Sequence, residues 1–298
     1  MTQSITLAKE YLGILDEVYA SSVLTADMNA DSMAVRPTGR AGSFLVQKLA
    51  MGGLGNYSRT AGFPAGELTL TWEEKTYSAD RARSFTLDSM DAQEAQTDAI
   101  RVAAEFLRTK VVPEIDAYRF SKIASTSSIG TTTAANLTTA AGTLAAWDVA
   151  VAAMRNAHVM LDTVVAYVSV AQYNLLKNSA AVTRFATPGQ NPSREFETFD
   201  GIKIVVVPSD IFYTAIDLEA GATASAAGSF SASSGAKAIN FLLVDKKAVF
   251  ADVKHAKPRL FTPEQNINAD GFKLDYRVYH DAWVLDNKVN GIYLHKAA

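Results

Sequence analysis

No cysteine occurs in the 298 residues, so disulfides, thiol nucleophiles and cysteine-ligated metals are excluded outright. Neither sign of charge is in excess. The 28 Lys and Arg face 31 Asp and Glu, a formal net charge of −3, whereas a dedicated nucleic-acid binder carries a basic surplus. No apolar run approaches the roughly 18 residues that span a bilayer, and the N-terminus lacks a basic-then-apolar leader. The chain therefore reads as a soluble protein, intracellular at synthesis. Catalytic motifs are missing too: there is no Gly-x-Ser-x-Gly elbow and no Gly-Lys-Ser/Thr phosphate loop. The four histidines, His158, His255, His280 and His295, lie too far apart in sequence for paired metal-ligand spacing. Glu73 and Glu74 are adjacent, so on a strand they point to opposite faces and form no acid–base pair. Gly53-Leu54-Gly55 looks like the start of a dinucleotide loop, but Ser58 stands where the third glycine belongs and no helix follows. Nothing here recruits an enzyme, a cofactor or a metal.

With 48% hydrophobic and 20% charged positions, the chain can still bury a sizeable core, as one large domain or two intertwined ones. Its organising stretch is residues 68–124. Leu68, Leu70 and Trp72 alternate with threonine and glutamate, which predicts a strand with one buried face. Residues 91–124 predict one long helix, opened by Asp91 with Glu94 three residues on. Ile100, Ala103, Ala104, Leu107, Val111, Ile115 and Tyr118 recur at steps of three and four and form one apolar face. Such a helix is about 50 Å long at ~1.5 Å per residue, with a bend rather than an end at Pro113. The pairs Asp98–Arg101, Glu105–Arg108 and Asp116–Arg119 have i,i+3 spacing and read as a solvated, salt-bridged face.

Residues 43–50 predict a strand that pairs with residues 68–77 as a hairpin. Residues 51–66 between them contain five glycines in sixteen positions yet also Leu54, Tyr57 and Phe63, too apolar to leave in water and too glycine-rich to pack a core. That combination suits an arm laid over a neighbouring subunit. Upstream, Ala8, Tyr11, Leu12, Leu15, Val18 and Tyr19 fall on one helical stripe. Gly13 weakens that helix by about 1 kcal/mol, and it reads either as an ordinary packing helix or as an arm that docks on another copy. Residues 27–42 read as a flexible connector.

After the long helix the pattern is mixed α/β. Residues 125–142 and 221–237 read as loops by composition. Helices are expected at 144–157 and 171–177, and strands at 164–170, 201–208 and 239–244. Strand chemistry returns at 248–253, 272–279, 282–285 and 291–294.

The ordered series of segments resembles one family. Gly53-Leu54-Gly55-Asn56-Tyr57-Ser58-Arg59, Leu70-Thr71-Trp72-Glu73, Asp80-Arg81-Ala82-Arg83-Ser84-Phe85 and Asp88 to Asp91 are similar to tailed-bacteriophage major capsid proteins of the Hong Kong 97 (HK97-like) fold. So are Val111-Val112-Pro113-Glu114-Ile115-Asp116-Ala117-Tyr118-Arg119, Ile204 to Pro208, Ile239 to Leu242, Tyr276-Arg277 and Gly291 to His295. The resemblance covers essentially the whole chain and implies an α+β capsid fold. Its parts would be an N-terminal arm (1–42), an extended β-hairpin loop (43–80), a peripheral domain (81–125 and 246–298, spine helix 91–124) and an axial α/β domain (126–245).

Function is then expected to be self-assembly, as hexamers and pentamers, into an icosahedral head shell around double-stranded DNA held without specific grip. It implies a virion location after assembly in the host cytoplasm, with portal and possible decoration proteins as partners and no membrane. Expected inter-subunit contacts are Leu12, Leu15, Tyr19, Leu54, Tyr57, Arg59, Phe63, Trp72, Arg81 and Arg83. Some relatives carry a built-in scaffolding domain, for which too few residues precede the hairpin. With Met1 at the start, a separate scaffolding protein is expected. Some relatives weld subunits through a lysine–asparagine bond, for which Lys75 and Asn287 or Asn290 are the residue types. The rivals are an encapsulin-type nanocompartment shell protein and, from another class, a soluble α/β enzyme or ligand-binding protein, which would run as a small compact species.

Overall fold

The computed structural model describes residues 23–29, 35–37, 42–60, 62–89, 99–133, 136–179, 198–221, 228–267 and 269–298. Leu12, Leu15 and Tyr19 lie outside these residues, as does the expected helix opening at Asp91 and Glu94. Before the long helix the chain forms β1 (Val35–Pro37), β2 (Ser43–Met51), β3 (Leu68–Thr76) and β4 (Ala79–Asp88). The helix runs through α1 (Ala99–Phe106), a wide π-turn (Leu107–Val111) and α2 (Val112–Ala124). After it come β5 (Gly130–Thr133), α3 (Ala140–Asn156), β6 (Val164–Ser169), α4 (Val170–Lys177), β7 (Thr198–Phe199) and β8 (Ile202–Val207). A ribbon of β9 (Ile216–Leu218) and β10 (Phe230–Ala232) precedes β11 (Ile239–Asp245), two long strands β12 (Val249–Phe261) and β13 (Gly271–Val284), and β14 (Ile292–Lys296).

Pro113 does not end the helix. Backbone angles stay helical on both sides of the π-turn, with Phe106 at φ −59°, ψ −46° and Val112 at φ −62°, ψ −50°. The irregularity sits one turn ahead of the proline, for a steric reason. A proline ring collides with the carbonyl four residues back, here that of Thr109, and the π-turn spans Thr109. The wide turn also serves packing. Four-residue steps on an α-helix drift by about 40° each at ~100° per residue. Widening one turn to i→i+5 bonds pulls the stripe back, so that Ala103, Leu107, Val111 and Ile115 share one core with Leu274, Tyr276 and Val278 of β13. Ile100 is helical, but its side chain lies outside the description.

That core lies on a three-stranded antiparallel sheet ordered β12-β13-β4. The C-terminal half of the helix serves a second sheet, which the apolar stripe read from sequence did not foresee. Ala117, Phe120 and Ile123 pack against Val165, Tyr167, Val244 and Leu294, with the rings of Phe120 and Tyr167 5.1 Å apart. These belong to a six-stranded mixed sheet ordered β5-β14-β11-β6-β8-β7. Its other face is covered by Trp147, Val151 and Met154 of α3, which meet Val164, Ala166 and Val168. Every residue of β6 is buried, as expected for a strand covered on both faces.

Three expectations change here. The strand at residues 291–294, assigned with the peripheral unit, joins the six-stranded sheet, pairing antiparallel with β11 and parallel with β5. Residues 125–142 are not all loop: residues 130–133 form the edge strand β5, and Thr139 caps α3 through the Gly142 N–H at 3.2 Å. Residues 221–237 likewise contribute β10, paired with β9. In both segments, small and hydroxyl residues at a sheet edge are set by the strand beside them, which composition does not report.

A larger correction concerns Asp116 and Arg119. Both are only 1% exposed, in contrast with Glu105 and Arg108, an exposed ion pair at 2.8 Å. The Asp116 carboxylate accepts from the Leu24 and Thr25 N–H groups at 3.0 and 3.2 Å and from the Thr25 hydroxyl at 2.7 Å. Arg119 Nη1 donates to the same hydroxyl at 2.8 Å. Burial raises the Asp116 pKa against these donors and the Arg119 charge. The pair holds the segment at residues 24–25 on the spine.

The root of the hairpin is anchored close by. Phe44 and Val46 of β2 bury against Phe250 and Trp283. The Phe44 and Trp283 rings meet edge-on at 4.8 Å, as do Tyr77 and Trp283 at 4.9 Å, geometry that adds to area burial. Polar bonds lock the exit: the Ser78 N–H and hydroxyl donate to Asp281 at 2.8 and 2.7 Å, and the Tyr118 hydroxyl donates to its other oxygen at 3.0 Å. Tyr77 donates to Asp252. Gly42, at φ +99°, accepts from the Tyr77 N–H at 3.0 Å, and a Cβ there would lie 2.9 Å from the Tyr279 hydroxyl.

Three outcomes follow. Phe44→Ala should cost about 3–5 kcal/mol, read as lost hydrogen-exchange protection in the root halves of β2 and β3. Asp116→Ala leaves the Leu24 and Thr25 N–H groups without their acceptor and should lower global stability by about 2–5 kcal/mol in chemical denaturation. His280 is buried edge-on to Tyr118, and burial followed by the Arg119 charge lowers its pKa from 6.5 to about 4. The unfolded chain takes up that proton first, so the contribution is complete above pH 6.5 and is lost as pH falls towards 4. The loss is up to about 3 kcal/mol. Comparing wild type with His280→Gln isolates it, since the raised Asp116 carboxyl acts with the opposite sign.

Candidate assembly surfaces

Beyond its root the hairpin leaves the core of its own chain. β2 and β3 pair antiparallel from Ser43↔Thr76 to Met51↔Leu68. Cross-strand partners share a face, so Phe44 and Val46 look inward while Gln47, Leu49 and Met51 stand beside Trp72, Leu70 and Leu68 on the other side. The sequence predicts that Leu68, Leu70 and Trp72 make a buried face. In the single subunit that face is open: Met51 is 70% exposed, Leu68 67%, Leu49 and Leu70 nearly half, and Trp72 is half-buried. Leu49 and Met51 were missed, although apolar residues on both faces of β2 were a visible signal.

The tip extends the same apolar strip. Leu54 is 108% and Phe63 90% exposed, and Tyr57 also faces solvent. The Tyr57 and Phe63 rings pack on each other at 5.1 Å. A Ser58↔Gly62 bridge closes the turn between them, with Gly62 at φ +80°. Arg59 is the single charged residue of residues 52–66 and is exposed. Full burial of each large side chain is worth roughly 1.5–3 kcal/mol.

Arg81 and Arg83, expected at contacts between subunits, are engaged inside this one. Arg81 pairs with Glu114 of α2 at 2.6 Å and donates to the Glu219 and Ser229 carbonyls at 2.8 and 3.2 Å. Arg83 donates to the Gly221 carbonyl at 3.0 Å. Both tie β4 to the β9–β10 ribbon, a partner far off in sequence. Lys75 is likewise held by Glu73 at 2.6 Å and Asp286 at 3.7 Å, and Asn287 donates to the Leu49 carbonyl at 3.3 Å.

Between β4, the helix and the ribbon lies a groove of about 930 Å³. Phe85, Val102, Phe106, Val111, Ile115, Tyr276 and Val278 form its apolar lining, with Glu105, Lys110, Glu114 and Glu219 among its polar residues. Among the described residues no group of three or more His, Asp or Glu is placed to hold a metal ion. No described helix is long and apolar enough to cross a membrane. The four histidines do not converge: His280 and His295 are buried in different sheets.

No protein-family model and no curated protein matches the sequence. Solved structures do match. The chain of Mycobacterium phage Che8 superposes with a TM-score of 0.58 at 10% identity, over 90% of this chain and 94% of that one. A chain from the asymmetric unit of the bacteriophage PhiM1 mature capsid reaches 0.62 at 13% identity, over 87% and 83%. The virus-like particle from Pyrococcus furiosus gives 0.59 at 11% identity, over 97% and 99%. Coverage of most of both partners, with a spine helix shared by two sheets and a projecting hairpin, assigns the chain the HK97-like capsid fold.

Proposed function

We propose that this chain is a major capsid protein that self-assembles, as hexamers and pentamers, into an icosahedral shell around double-stranded DNA. One observation carries the reading: on a capsid fold, the hairpin exposes an apolar strip from Leu49 to the tip that the subunit does not cover. Leaving seven large apolar side chains in water on one arm is costly, and a neighbouring copy removes the cost. The net charge of −3 suits a container that holds DNA without gripping it. Structural neighbours that are capsids support an assembly role rather than an enzymatic one.

The virus-like particle from Pyrococcus furiosus, matched over 97% of this chain, favours a second reading, a nanocompartment shell of the encapsulin type. Nucleic acid inside purified particles separates the two. A shell built from both hexamers and pentamers needs something that chooses curvature. A separate scaffolding protein acting in the host cytoplasm fills that role here, with portal and decoration proteins completing the virion.

Expressed protein should form capsomers or shells by electron microscopy. Deleting residues 52–66 should leave a folded subunit, by circular dichroism and melting, that no longer closes shells. The subunit alone should give capsomers, aberrant shells or mixed sizes, and a co-expressed scaffold should restore uniform ones. Homogeneous full-size shells from the subunit alone would count against the scaffold.

A further inference from the structure

We infer that the short turn Asp286–Gly291 is a salt-labile latch for the hairpin. Asp286 and Asn287 set the pitch at which the arm leaves its own chain, and the arm tilts on its aromatic root when they release it. The latch belongs to the single chain, whereas its consequence for curvature rests on the shell reading.

Two kinds of contact hold the hairpin. Phe44 and Val46 sit in the apolar cluster with Phe250 and Trp283, and such burial has little directional preference. It keeps the root attached without fixing an angle. Further along, the same inward face turns charged. Cross-strand partners share a face, and the register Phe44↔Lys75, Val46↔Glu73 and Lys48↔Thr71 puts Lys48, Glu73 and Lys75 on the side of Phe44 and Val46. There they meet Asp286. Its Oδ2 lies 3.4 Å from Lys48 Nζ and its Oδ1 3.7 Å from Lys75 Nζ, while Lys75 is shared with Glu73 at 2.6 Å. One residue on, Asn287 Nδ2 donates to the Leu49 carbonyl at 3.3 Å. Partial burial raises the Asp286 pKa, but the Lys75 and Lys48 charges outweigh it and hold the carboxyl below its ordinary value. The bracket is therefore ionic at neutral pH.

The turn is the fixed half of the latch. It joins β13 of the three-stranded sheet to β14 of the six-stranded one. The Leu285 N–H donates to the Ala248 carbonyl at 2.9 Å, and Lys288 Nζ to the Lys247 carbonyl at 3.1 Å. Gly291 packs so closely that a Cβ there would stand 3.1 Å from the Ala248 Cβ. The hairpin is the moving half. Its paired strands run about 30 Å at ~3.4 Å per residue, so a tilt at Lys48 grows towards the tip. The Asp286 side chain is 47% exposed and that of Lys48 39%, and exposed ion pairs are weak and screened by salt. Apolar burial at the root does not rely on charge. Salt therefore frees the arm before it frees the root. A shell of hexamers and pentamers asks one chain for more than one arm pitch, and a weak latch on a strong pivot supplies it.

Zero-length coupling with a carbodiimide tests this on the purified chain in whatever state of assembly it takes, since it joins a carboxylate to an amine in contact with it. At low salt, Asp286–Lys48 and Asp286–Lys75 amides should form within one chain, as mass spectrometry of mixed isotopically light and heavy chains reads. Asp27 with Lys203 and Lys246, at 2.6 and 2.8 Å outside the hairpin, is the control. At ~1 M salt, where the screening length falls to about 3 Å, the Asp286 amides should drop several-fold relative to the Asp27 ones. Asp286→Asn should melt as wild type does yet change the diameter or size spread of particles in electron micrographs. Asp286→Lys combined with Lys48→Glu and Lys75→Glu should restore the wild-type particles. Asp286 amides that are absent at low salt, link different chains, or resist salt as the Asp27 amides do would overturn the latch. Asp286→Asn particles identical to wild type would overturn it as well, and each of these results leaves the shell reading standing. A wild-type chain that forms neither capsomers nor shells would overturn the shell reading and the curvature consequence, while the coupling yields still decide the latch.

Discussion

Burial of a single helix against two sheets is the constraint on which the rest of this subunit depends. Residues from Ala103 to Ile115 complete the core of the three-stranded sheet, and Ala117, Phe120 and Ile123 complete one face of the six-stranded sheet. Neither sheet closes its core without that helix, so the two units share a rigid element. The π-turn ahead of Pro113 is part of this arrangement: it keeps the first stripe in phase and makes room for the proline ring. The buried Asp116–Thr25–Arg119 bonds lie where the two stripes meet.

The hairpin divides into an anchored root and an unsatisfied remainder, and the pleat is what separates them. Alternate residues on a strand face opposite ways. One face of β2 can therefore bury Phe44 and Val46 in an aromatic cluster while the other carries Leu49 and Met51 out into solvent. Anchored at its base and apolar beyond, the arm presents a surface that its own chain leaves exposed. The ribbon tied down by Arg81 and Arg83 walls the groove beside β4 and the helix.

Identity of 10–13% to structures that superpose along nearly the whole chain indicates what kind of information is retained. Cores specified by patterning and volume tolerate wide substitution. What persists is the overall arrangement of the chain.

Much of this was legible in the sequence, because helix and strand periods are local. The alternation in residues 68–77, the steps of four from Ala103 to Ile115 and the apolar runs of β6, β8 and β11 located those elements. Glycine beside exposed aromatics marked the tip. Long-range partners were not legible. Asp116 and Arg119 have the spacing of a surface ion pair, and only the return of residues 24–25 across the helix buries them. Arg81 and Arg83 looked available to other subunits until the β9–β10 ribbon folded over them. The last strand went to the wrong sheet because hydrogen bonding to β11 and β5, rather than its own composition, sets its place. Local pattern determines which residues prefer burial, and tertiary structure decides what buries them, since that depends on chain segments far off in sequence.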